Sequence, residues 1–182
     1  MIGIASPFNR GRYFLERYSK LIFLAAVVII FSLGSYYSLK QYTVWLGDPL
    51  TKLLLPPHQD IGYFAFYSLT RFFAPYLISL VFALLILWVA VAANKKSGGI
   101  FFEKGEPYLA ATSLFLVGHP GWLIYLVALI SVYFILHTSY FILRREATRL
   151  PLYHLWVPTA FFVILINEYW LSSTYWWALL NF

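Results

Sequence analysis

The sequence predicts an all-α protein, an integral membrane helical bundle of about five transmembrane segments, and three observations favour this fold class. Hydrophobic residues make up 62% of the 182 residues and charged residues 11%, against about 25% charged residues in soluble domains. The mean hydropathy is +0.74. The thirteen Lys and Arg residues lie in short clusters at the ends of apolar runs, which is typical of multi-pass membrane proteins. We therefore expect residues 1–182 to form a single membrane domain.

The first segment, residues 1–20, is rich in basic residues, with Glu16 as its only acid. This pattern predicts a cytoplasmic flank, followed by a first span over residues 21–39. A cleaved signal peptide is the alternative, because the apolar core of residues 21–31 is short and small residues follow it. The basic lead and the Tyr36-Tyr37 pair favour a retained span.

Residues 40–71 are of mixed polarity and predict an outer loop that carries a short interfacial helix. Asp48-Pro49 has the form of a helix start, and Pro56-Pro57 ends the apolar turn that follows it. A second span is expected over residues 72–93. Pro75 is compatible with that span because a proline in the first turn of a helix costs no intrahelical hydrogen bond.

Residues 94–106 contain lysines, glycines and glutamates and predict a polar cytoplasmic loop. Glu106 precedes Pro107, so we expect its carboxylate to lie at the positive end of a new helix, where Asp or Ser could replace it. The apolar run that follows is short and ends at a Gly118-His119-Pro120-Gly121 break. Residues 107–118 therefore either cross the membrane as a thin span or re-enter it, which would leave four spans.

The distribution of basic residues favours a membrane crossing by residues 107–118. If residues 107–118 cross, ten Lys and Arg residues lie inside and three outside; if they do not, the division is seven to six. The positive-inside rule then predicts five spans, the last two over residues 122–143 and 152–170, in the cell (inner) membrane with a cytoplasmic N-terminus. The inside set is Arg10, Arg12, Arg17, Lys20, Lys95, Lys96, Lys104, Arg144, Arg145 and Arg149; the outside set is Lys40, Lys52 and Arg71.

His137 is the ionisable residue expected deepest in the membrane, and such residues are candidates for function. A proton relay or a cofactor ligand is one interpretation. The favoured one is a neutral imidazole that is hydrogen-bonded to a neighbouring helix. No second histidine follows at helical spacing, and the chain has no cysteine, so we predict no cofactor and no metal site.

The predicted outer face collects four residues with side chains that can bind metals, His58, Asp60, His119 and Glu168. A metal or acid–base site is not favoured, because such residues occur on the loops of most proteins. His119 is interpreted as a turn residue before Pro120, and Glu168 as a residue at the membrane interface beside Tyr169 and Trp170.

The predicted cytoplasmic face collects Glu103, Glu106 and the basic cluster Arg144, Arg145 and Arg149. The arginines are candidates for contact with lipid headgroups or phosphate. An anchor that follows the positive-inside rule is the favoured interpretation. Glu103, Glu106 and His137 are the catalytic candidates that the sequence offers.

The sequence that begins at this face resembles part of a known protein family. The segment KGEPYLAA (residues 104–111), a short span, the GHPG turn and a further span resemble the C-terminal part of prepilin peptidases. The resemblance implies a membrane aspartyl protease in which a Gly-x-Gly-Asp motif opens the short span. Here Glu106 stands where that family has Asp, the first Gly is missing, and no partner Asp occurs on the same face. Because a two-carboxylate mechanism needs both groups on one face, the family is not adopted.

The function expected from these features is that of an accessory or structural component of a membrane assembly, with the lipid bilayer and other membrane subunits as partners. A membrane-embedded enzyme with a cytoplasmic-face site is the first alternative, and a small-molecule or lipid carrier is the second. No nucleic-acid partner is expected, since aromatic and basic residues do not interleave in a polar segment.

Overall fold

The computed structural model describes residues 7–99, 101–144 and 155–170, and all regular structure in these ranges is helical. A 3-10 helix, Thr51–Leu54, lies between the first two α-helices, and a π-helical turn, Leu69–Phe73, joins the second to the third. The α-helices are α1 (Pro7–Gly47), α2 (Ile61–Ser68), α3 (Ala74–Lys96), α4 (Glu106–Val117), α5 (Gly121–Arg144) and α6 (Trp156–Tyr169).

Among the described residues, three helical segments are long and apolar enough to cross a membrane: Arg17–Gly47, Ile61–Lys96 and Gly121–Tyr140. Helix α6 is apolar but shorter. The predicted all-α class is therefore confirmed, together with three helices of membrane-spanning character.

Much of the segment predicted as an outer loop, residues 40–71, is helical. Helix α1 continues to Gly47 and α2 begins at Ile61, where the Asp60 side chain accepts a hydrogen bond from the Gly62 amide at 3.0 Å. Aromatic packing explains the extension of both helices: Trp45 and Phe64 lie edge to face, with ring centroids 5.3 Å apart. These contacts outweigh the mixed polarity of the local sequence.

Helix α1 runs antiparallel to α2 and to the π-helical turn that follows it. Ser38 of α1 and Ser68 of α2 share a hydrogen bond between their hydroxyl groups, and the rings of Phe31 and Phe73 stack at 6.2 Å. The π-helical turn comes just before Pro75. Since Pro75 has no amide hydrogen, a change of hydrogen-bond register at this point is compatible with a continuous helix.

Helix α4 is the centre of the bundle. Ten of its twelve residues are buried, and it packs against α1, α3 and α6. Phe115 is fully buried and contacts Phe23, Phe31 and Tyr76. The small residues of the segment Ala110-Ala111-Thr112-Ser113 permit close approach of neighbouring helices.

The later helices alternate in direction. Phe102 lies against Asn94 at the end of α3, and the His119 amide donates to the Pro75 carbonyl at 3.3 Å, so α4 runs antiparallel to α3. Helix α6 begins beside Glu106 and ends near Gly121. It therefore runs parallel to α4. Helix α5, which comes between the two in the chain, runs in the opposite direction. We call the end of the bundle that holds Glu106 and the end of α3 the basic end.

Candidate functional site

Glu106 opens helix α4 and is only 3% exposed. Gly105 precedes it in the left-handed conformation, with φ 85°, and Pro107 follows. The Oε2 atom of Glu106 accepts a hydrogen bond from the backbone amide of Glu103 at 2.9 Å. This contact resembles a capping box, in which a carboxylate reaches back three residues to an unpaired amide. The predicted helix-start role of Glu106 fits this geometry.

The second oxygen of Glu106 has a partner fifty residues away in the chain. Trp156, the first residue of α6, donates from its indole Nε1 to Oε1 of Glu106 at 3.1 Å. The Trp156 carbonyl accepts a hydrogen bond from the Tyr125 hydroxyl at 3.2 Å. A buried polar network therefore connects α4, α5 and α6.

Sequence reasoning missed Trp156 and Tyr125. Both lie in apolar runs rich in aromatic residues, where Trp and Tyr are expected as interfacial anchors. One chemical signal was available in the sequence. A buried indole N–H or phenol hydroxyl needs a hydrogen-bond partner, and the carboxylate of Glu106 at the start of the short helix is a possible acceptor.

In chemical terms, both oxygens of the Glu106 carboxylate accept hydrogen bonds from the protein itself. Glu103 contributes its backbone amide to this arrangement. The two groups that hold Glu106 are donors, and they fix the carboxylate at the amide-rich end of a helix, where negative charge is favourable. The geometry is that of a structural carboxylate.

Of the predicted arginine cluster, only Arg144 lies within the described residues. Helix α5 ends at Arg144, whereas Arg145 and Arg149 lie outside the described residues. Contact of these arginines with lipid headgroups or phosphate stays a prediction.

His137 is not the most buried ionisable residue, because it is half-buried and Glu106 is far more enclosed. Its ring lies 5.8 Å from that of Tyr133, one turn earlier on the same helix. Within the described residues, no neighbouring helix donates to or accepts from His137. Phe134 and Ile135 beside it are 70% and 61% exposed, so this part of α5 presents an open surface.

The four residues expected at the outer face lie in different surroundings. Asp60 caps α2, His58 is exposed, and the Nδ1 atom of His119 accepts a hydrogen bond from the Trp122 indole at 3.2 Å. Glu168 lies close enough to Tyr76 for an electrostatic interaction. In the part of the chain that the structure describes, no group of three or more His, Cys, Asp or Glu could hold a metal ion.

The glycine break combines two different constraints. Gly118 adopts φ 74° and ψ 168°, a region that only glycine occupies readily. Gly121 is helical, but a Cβ there would lie 2.8 Å from Cγ1 of Val117, which is closer than carbon atoms pack. Glycine is therefore favoured at Gly118 by its backbone conformation and at Gly121 by the lack of space for a Cβ.

An apolar groove of about 460 Å³ opens at the basic end, within the size range of small-molecule pockets. One wall is α3, with Val89, Ala90 and Ala93. The other is formed by Phe101 and Phe102 of the loop and by Trp156. Trp156 thus closes the groove with its ring and holds Glu106 with its indole nitrogen.

No protein-family model, curated protein or solved structure matches this chain.

Proposed function

We propose that this chain is a five-span integral protein of the cell membrane, with its N-terminus in the cytoplasm, that acts as a structural or accessory component of a membrane assembly. The ten-to-three division of basic residues supports the orientation. Three long apolar helices support membrane insertion.

The depth of α4 supports a crossing over a re-entrant turn. The break after α4 is hydrogen-bonded to Pro75, and the loop before α4 is hydrogen-bonded to Asn94. These two anchor points on α3 are nineteen residues apart, which corresponds to about 28 Å at 1.5 Å per residue. The hydrocarbon core is about 30 Å thick, so residues 102–119 cover nearly its full depth.

The single observation that carries the structural role is that both oxygens of the Glu106 carboxylate accept hydrogen bonds from the protein. A catalytic acid or base must reach a substrate, yet each oxygen of this carboxylate already accepts a hydrogen bond from Glu103 or Trp156, and the side chain is buried. We infer that Glu106 fixes the short helix in the bundle.

The outward surface of the long helices supports an assembly or lipid environment. Leu24, Val28 and Ile29 of α1 are more than half exposed, and so are Val81 and Trp88 of α3. Apolar surface of this extent is suited to acyl chains or to the apolar faces of partner subunits.

Two measurements test the proposal. In this cysteine-free chain, Ser97→Cys should react with a membrane-impermeant thiol reagent only from the cytoplasmic side, and His119→Cys only from the opposite side. Labelling of Ser97→Cys from outside would refute the orientation, and labelling of His119→Cys only from inside would establish the four-span alternative. Affinity purification in mild detergent, followed by mass spectrometry, should recover a stoichiometric membrane partner; recovery of the chain alone would refute the accessory role.

A further inference from the structure

We infer that the apolar groove at the basic end binds one acyl chain of an anionic phospholipid, whose headgroup rests on Lys95, Lys96 and Lys104. The inference rests on the membrane insertion proposed above.

The groove is open on its lateral side and closed at its base. Leu85 and Val89 at its rim are 53% and 51% exposed, while Ala90 at its base is 5% exposed and Trp156 is 7% exposed. All residues that line it are apolar or aromatic. An unbranched hydrocarbon chain suits such a lining, because it has no polar group that would need a partner.

The loop wall of the groove is held in place by hydrogen bonds. Asn94 of α3 donates from Nδ2 to the Phe102 carbonyl at 3.0 Å and accepts from the Phe102 amide at 3.1 Å. Four residues after Phe102, the Glu106 carboxylate accepts a hydrogen bond from the Glu103 amide. Phe102 is thus fixed on both sides, so the groove is a feature of the fold.

The positive charge beside the groove indicates which class of lipid it binds. Lys95 and Lys96 come two and three residues after Ala93, which lines the groove, and Lys104 comes two residues after Phe102. All three lysines are exposed, and Glu103 is the only acid within residues 94–104. This rim of positive charge lies at the end of the groove where the bundle meets water on the proposed topology, so it complements a phosphate headgroup.

Native mass spectrometry of the full chain in mild detergent tests the inference, with phosphatidylglycerol and phosphatidylcholine of identical acyl chains as probes. The chain should retain phosphatidylglycerol in preference to phosphatidylcholine. Lys95→Gln with Lys96→Gln should reduce the retained phosphatidylglycerol by about fivefold for each lysine. The matched control, Lys40→Gln with Lys52→Gln, removes the same charge at the opposite end and should leave retention unchanged.

A matched pair of variants tests the apolar part of the site. Ala93→Phe fills the groove and should abolish selective retention, while Ala92→Phe adds the same ring at the neighbouring exposed residue and should preserve it. If Ala93→Phe does not fold, the lysine pairs decide the question alone. Equal retention of both lipids, or equal effects of the two lysine pairs, would overturn the inference. Cross-linking of the groove to a second copy of the chain would also overturn it.

Extraction with alkaline carbonate separates the two proposals. A chain that alkaline carbonate removes from membranes would refute membrane insertion itself. A chain that stays in the membrane but shows no preference for phosphatidylglycerol would refute only the lipid site.

Discussion

The hydrogen bond between Glu106 and Trp156 should contribute measurably to the stability of the bundle. Trp156→Phe removes the indole N–H and leaves Oε1 of a buried carboxylate without the donor at 3.1 Å. An unsatisfied buried acceptor costs about 1–3 kcal/mol, and more if it is charged. We therefore expect the free energy of unfolding to fall by at least about 1 kcal/mol.

Glu106→Gln should have a similar effect for a different reason. The amide group of glutamine has one oxygen and one NH₂, but the site presents two donors, the Glu103 amide and the Trp156 indole. One donor would then face the NH₂ group. In the double variant with Trp156→Phe this conflict disappears, so its destabilisation should be smaller than the sum of the two single effects by about 0.5–3 kcal/mol.

Reversible unfolding by dodecyl sulfate in mixed micelles, followed by tryptophan fluorescence, measures these free energies. Trp122→Phe is the control partner, because its indole also donates a hydrogen bond, to His119, but at the opposite end of α4. Its effect should add to that of Glu106→Gln within about 0.5 kcal/mol. If Trp156→Phe proves neutral, or if it also combines additively with Glu106→Gln, the proposed coupling of α4 to α6 is refuted.

Three further changes can be measured in the same unfolding assay. Gly118→Ala should cost about 1–3 kcal/mol through backbone strain at φ 74°, and an unchanged stability would contradict the glycine requirement. His137→Leu should stay within about 0.5 kcal/mol because the ring contacts Tyr133 on its own helix; a larger loss would indicate a buried partner. Asn94→Ala should cost about 1 kcal/mol for each of its two hydrogen bonds to Phe102, and a neutral result would mean that the loop is held elsewhere.

Local chemistry made parts of the fold predictable. Asp60 precedes α2 and Glu106 is the first residue of α4, and each side chain accepts a hydrogen bond from a backbone amide near the helix start. The break at Gly118 ends α4 as expected from its glycine and the following His119-Pro120. The sequence signal at each of these places lies within a few residues of the structure that it determines.

Long-range contacts were not predictable in the same way. Residues 61–73 continue the helix that contains α3 because their aromatic rings pack on α1, and no local pattern specifies that partner. The tolerance expected for Asp or Ser in place of Glu106 assumed a helix-start role alone. Since the same carboxylate also reaches Trp156, a shorter side chain loses one of the two contacts, and we now expect both replacements to destabilise the bundle.

On the membrane insertion proposed above, the physics of packing in lipid explains the central position of α4. A lipid environment offers no hydrophobic gain when two apolar helices associate, so close packing and polar contacts must supply the cohesion. The described bundle concentrates both in α4. Ala110 and Ala111 are at most 2% exposed and permit close helix approach, while Glu106 makes the polar contact to α6. A helix too short to be a strong span by hydropathy can therefore be the element on which the longer apolar helices assemble.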